Sequence, residues 1–145
     1  MKRFRFSLEK VLYFRQRELE LAESRLEQIK TQQTYLERRG QALEQESLKL
    51  REQTTRAEAT TGAALASMHH YVESLGSKQD RAIETLGKLE QERREHLKVL
   101  IEKRREVEVL KRLKGKRKKA YVLASGRQES LEMADLFLGG WSGKR

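Results

Sequence analysis

Between residues 8 and 57 apolar side chains recur in alternating steps of four and three. The positions are Leu8, Leu12, Arg15, Leu19, Ala22, Leu26, Ile29, Gln33, Leu36, Gly40, Leu43, Ser47, Leu50, Thr54 and Ala57, and ten of these fifteen are apolar. The residues between them are mostly Glu, Arg, Gln and Lys. A stripe this narrow, kept over about seven heptads, is the seam of a coiled coil and predicts one long helix. Ser7 is a suitable N-cap, and Phe6 and Val11 occupy the two positions of a hydrophobic staple, although Lys10 stands where a capping box needs Glu or Gln.

A second seam runs through Met68, Val72, Leu75, Gln79, Ala82, Leu86, Leu89, Arg93, His96, Leu100, Lys103, Val107 and Leu110, with nine of thirteen apolar. Ile83, Leu97 and Ile101 widen it on one side. Between the seams lies TTGAALA, residues 60 to 66, where the apolar spacing lapses and Gly62 follows two possible caps, Thr60 and Thr61. The expected fold is all-α, a long antiparallel two-helix coiled-coil hairpin in a single domain. Helix 1 covers about 7–58, the turn about 59–64, the longer helix 2 about 65–138, and a short Gly-rich tail 139–145. The competing arrangement is one continuous helix that dimerises without bending, since Ala63, Ala64 and Ala66 are good helix formers.

In a hairpin bent at Gly62, facing residues sum to roughly 124, so 111–119 lie beside 5–13. Beyond about residue 120 helix 2 has no partner within the chain. Tyr121, Ala124, Leu131 and Leu138 keep a weak stripe there until Gly139 and Gly140, and Phe4 and Phe6 can pack near its base.

Composition sharpens this picture. Charged residues make up 37% and mean hydropathy is −0.85, a balance that suits disorder or solvated helices, and the absence of proline favours helices. The net charge of +10 is concentrated. Lys2, Arg3 and Arg5 supply three positives. "KRLKGKRKK" at 111–119 supplies seven, from Lys111, Arg112, Lys114, Lys116, Arg117, Lys118 and Lys119, and neither segment contains an acid. Arg5, Glu9 and Lys10 interrupt any apolar signal-peptide core, and no run is long and apolar enough to span a bilayer. A cytoplasmic protein without direct membrane insertion is expected.

Catalytic chemistry has no foothold. The nine glycines form no phosphate-cradling loop, and cysteine is absent. His69 and His70 are neighbours on a helix, about 100° apart, and cannot share a metal, while His96 falls in the seam. Carboxylates on solvated helices lack a cleft to shift their pKa values. The expectation is a protein that works by binding, with no enzyme activity, cofactor or metal. A basic coiled coil that binds nucleic acid non-specifically is the alternative. It lacks the base-reading polar residues of zipper-type arms and the aromatic platforms of single-strand binders.

The opening F-x-F-x-L-x-x-V-L-x-x-R (Phe4, Phe6, Leu8, Val11, Leu12, Arg15) resembles the N-terminal signature of the flagellar export protein FliJ family. The likeness extends over nearly the whole chain. Tyr71, Val72 and Leu75 are similar to the family's aromatic–aliphatic pair with a Leu three residues on. Arg127, Gln128, Glu129, Glu132 and Asp135 are similar to its R-Q-E run with following acids, with Leu136 where a second acid usually stands.

The resemblance implies a soluble component of the flagellar type III export apparatus, peripherally associated with the inner membrane at the flagellar base. Its implied partners are the hexameric flagellar export ATPase, the export-gate membrane protein FlhA and emptied export chaperones. Gate binding carries over to Tyr71 and Leu75. Leu48, apolar but outside the seam, is added from the pattern. The two basic segments, with Arg127 and Glu129, are the expected contacts to the ATPase ring.

Overall fold

The computed structural model of the chain describes residues 2–56 and 61–143, with Ser142 described by its backbone alone. Two helices account for nearly all of these: α1, Glu9–Arg56, and α2, Gly62–Ser142, with 48 and 81 residues. There is no strand among the described residues. The helices pack against each other, and α2 is the longer, as the two seams predict.

The chain divides into two compact units. Unit 1 combines residues up to 21 with those from 101 on, and unit 2 comprises Ala22–Leu100. In unit 2 the buried side chains are Leu26, Ile29, Leu43, Leu75, Ala82, Leu89 and Leu100, each on one of the two seams. Numbers rise along α1 as they fall along α2: Gln33 Nε2 donates to Glu90 Oε2 at 3.1 Å, and Tyr71 reaches back to Glu46. The pairing is antiparallel and within one chain, which answers the continuous-helix alternative.

Unit 1 repeats the pattern around Phe6, Leu12 and Val107, with Phe4, Leu8, Leu19, Leu110 and Leu113 packed on them. Here Glu9 stands by Lys114, Arg15 by Glu106 and Glu18 by Lys103. These sums of 121 to 123 lie close to the expected 124. The seam's charged members do not enter the core: no polar or charged residue among those described is buried. They stand at its edge and pair, because an ion left unpaired in so thin an interior loses hydration without return.

The helix ends differ from the sequence reading. Ser7 does not cap α1. Its hydroxyl accepts from Arg117 at 2.7 Å, and the first helical bond runs from Leu12 N–H to Leu8 carbonyl at 2.9 Å. Phe6 does not rely on Val11, which is 42% exposed; it packs with Leu12 and Val107. The expected bend falls partly on 57–60, outside the described residues. α2 starts at Gly62, where Thr61 supplies the cap: its Oγ1 accepts from Ala64 N–H at 3.2 Å and its carbonyl from Leu65 N–H at 3.1 Å.

At the far end α2 runs through Gly139 and Gly140 to Ser142. No described glycine has positive φ. Each glycine costs a helix about 1 kcal/mol relative to Ala, but without proline nothing forces it to stop.

Candidate functional site

Unit 1 brings the two basic segments together, and it sorts their charges by direction. Lys114 and Arg117 occupy seam positions and point at the N-terminal segment. Lys114 Nζ lies 2.8 Å from Glu9 Oε2. Arg117 donates to Ser7 and sits over the Phe6 ring, 5.6 Å from its centroid. One turn on, the Tyr121 phenol donates to the Lys2 carbonyl, and its ring stands 5.5 Å from that of Phe4. The Phe-x-Phe opening is therefore clamped onto α2 by both its rings. Arg3, Phe4, Arg5, Phe6, Glu9 and Lys114 line a shallow groove of about 460 Å³ beside this clamp.

The remaining charges face outward. Arg112 pairs with Glu108 one turn earlier, at 2.7 Å. Lys111, Lys116, Lys118 and Lys119 are exposed and have no hydrogen bond or ion pair among the described residues. The same holds for the exposed side chains of Arg3 and Arg5. Lys114, Arg117 and Arg112 are thus engaged within the fold, and the other cations named here point to solvent.

In unit 2 the three expected gate-binding residues separate. Leu75 is 2% exposed and belongs to the core. Tyr71 is exposed, and its phenol donates to Glu46 Oε1 at 2.5 Å. That carboxylate holds the phenol pKa above its usual 10. Leu48 is exposed too, but two residues on from Glu46 it points about 200° around α1 from the side Tyr71 touches. The structure does not bring Tyr71 and Leu48 to one face.

Arg127 and Glu129 lie on the stretch of α2 beyond Tyr121, exposed on a helix whose large apolar side chains are exposed as well. Met133, Phe137 and Trp141 are 69%, 75% and 68% exposed. They follow one another at i, i+4 and so form one row. The sequence reading followed Tyr121, Ala124, Leu131 and Leu138 and missed this row. The aromatic spacing near the glycines was the signal for it. Among the described residues no group of acids and histidines is placed to hold a metal, and no helix is long and apolar enough to cross a membrane.

A two-helix hairpin with paired charges along its seam and exposed cations and apolar rows on its outside belongs to the class of long antiparallel coiled-coil proteins. A protein-family model described as "Flagellar FliJ protein" matches residues 4–139. The chain belongs to the FliJ family and is a component of the flagellar type III export apparatus. No curated protein and no solved structure matches it.

Proposed function

We propose that the chain is the stalk-like coupler of the export apparatus, joining the hexameric export ATPase to the export-gate membrane protein FlhA and handling emptied export chaperones. It acts without catalysing a reaction, on the cytoplasmic side, held peripherally at the inner membrane. The observation that supports ring binding is the cluster of outward cations in the two basic segments of unit 1, among them Arg3, Arg5, Lys111, Lys116, Lys118 and Lys119. Cations crowded within a Debye length of about 8 Å repel one another, and an acidic protein surface relieves that repulsion. Tyr71 offers an exposed aromatic ring for the gate, Leu75 one turn on holds that stretch of α2 to the core, and Leu48 serves a separate contact.

Replacing Lys111, Lys116, Lys118 and Lys119 by Gln tests the orientation without disturbing the clamp around Phe4 and Phe6. The variant should lose affinity for the cognate ATPase at least tenfold and no longer raise its turnover, while gate binding persists. Tyr71→Ala should do the reverse. If the lysine variant binds the ATPase normally and the gate poorly, the assignment of ends is wrong.

A further inference from the structure

Unit 2 has two tyrosines, both exposed, and they are held differently. The Tyr35 hydroxyl accepts from Arg39 on its own helix at 3.5 Å, and the residue is 61% exposed. Tyr71 is 45% exposed, and its phenol crosses to the other helix, donating to Glu46 Oε1 at 2.5 Å. Its side chain is therefore fixed at two points, the Cα on α2 and the oxygen on α1. Glu46 and Tyr71 each stand one residue before a seam position, as do Arg25 and Glu92, which pair at 3.8 Å. The numbers of each pair sum to 117, so the tether occupies a regular cross-helix position on that flank.

A charged acceptor makes this bond one of the stronger kind, and it changes what Tyr71 offers. A free surface tyrosine has two side-chain rotations to lose when a partner takes hold of it, and that loss weakens binding. In Tyr71 the tether has already removed that freedom. A partner that covers a free phenol must also supply an acceptor, or leave a buried donor unsatisfied. The Tyr71 hydroxyl has its acceptor within the chain, so the ring suits a socket that offers only apolar contact.

We infer that Glu46 is a positioning residue for the gate contact: it holds the Tyr71 ring in its binding arrangement and satisfies the hydroxyl, so that the gate meets the ring through an apolar socket. This rests on the reading of Tyr71 as a gate-binding residue.

The affinity of full-length variants for the cognate export-gate protein tests it. Tyr71→Ala, which removes the ring, sets the scale. Glu46→Ala should weaken binding about two- to tenfold, the cost of ordering one side chain, and Tyr71→Phe should weaken it by the same factor. The double variant should lose no more than either alone, because both changes break one bond. Glu46→Gln, whose amide oxygen can still accept from the phenol, should recover most of what Glu46→Ala loses, which separates placement of the ring from the charge of the acid. Phenolate absorbance, read as the difference between each protein and its Tyr71→Phe counterpart, should show Tyr71 ionising above the usual tyrosine range in wild type and back within it in Glu46→Ala. If Tyr71→Ala binds the gate as well as wild type, the gate reading falls and this inference with it. If Tyr71→Ala weakens binding and Glu46→Ala does not, the gate reading stands and the inference is overturned. A Tyr71→Phe loss that exceeds that of Glu46→Ala and persists in its background would overturn it too, since the gate would then be taking the hydroxyl itself.

Discussion

Lys103 Nζ stands 3.3 Å from Glu18 Oε2 across the seam of unit 1, and the same carboxylate oxygen takes Arg15 Nη1 at 2.9 Å. Glu106 closes the group, 3.3 Å from Arg15 and 3.9 Å from Lys103. Two seam positions that would ordinarily hold leucine are thus held by a pair of cations and the two acids beside them.

These acids predict how stability follows pH. Glu90 in unit 2 is held down from the usual 4.5 to about 2, chiefly by the Arg93 hydrogen bond and then by that of Gln33. Glu18 is lowered as well, first by Arg15 and then by Lys103. A carboxyl depressed in the folded state contributes stability that is present above its unfolded value and lost as pH falls through the folded one. Thermal midpoints should therefore drop between about pH 5 and 2, and Glu90→Gln should flatten part of the drop. Melting curves across that range, at low salt, check it. An equally steep drop in the variant would remove Glu90 from the account.

Ile29 is fully buried and Tyr35, six residues on, is 61% exposed. Ile29→Ala should cost about 2–4 kcal/mol from lost burial and the cavity left behind. Tyr35→Ala should stay within about 0.5 kcal/mol, as surface changes do. Urea unfolding of both variants compares the seam directly with the outer face.

Phe6 is the aromatic heart of unit 1, packed with Leu12 and Val107 and covered by Arg117. Phe6→Ala should release the N-terminal segment. Amide exchange should speed at residues 8–15 and 105–121 while residues 26–43 keep their protection. Uniform loss across the chain would mean that the two units open together.

Thr61 caps α2 through its hydroxyl and its carbonyl. Thr61→Ala should cost about 1 kcal/mol, and Thr61→Asp should recover it. Chemical denaturation of the pair distinguishes loss of a cap from a change of turn conformation, for which Asp would not compensate.

The seams were legible because a thin two-helix core leaves little choice. Among the described residues every buried side chain except Phe6 falls on a position given by the alternating spacing alone. Spacing does not say how a charge at a seam position will be satisfied: Arg15, Lys103 and Arg93 read as interruptions, and only their neighbours Glu18, Glu106 and Glu90 make them pairings. Ser7 misled because a cap signal is local, whereas Arg117 comes from 110 residues away. Leu75 matched a family motif but is buried, since a seam position serves the core first. The row Met133, Phe137, Trp141 is hidden in the sequence because Gly139 and Gly140 are a local signal for a helix end, where the backbone continues as helix to Ser142.

The charged group around Glu18 also acts as a checksum on alignment. A slip of one heptad would bring Lys103 level with Val11 or Arg25, and Glu106 level with Leu8 or Ala22. In unit 2 the same slip would bring Glu90 level with Leu26 or Gly40. Leucine seams alone tolerate such slips, because every heptad looks like the next. Here each wrong alignment strands an ion against an apolar or like-charged neighbour, so the helices find their register from their own sides. Register is therefore written into the flanks of the helices themselves, where Glu18, Glu106 and Glu90 meet their partners.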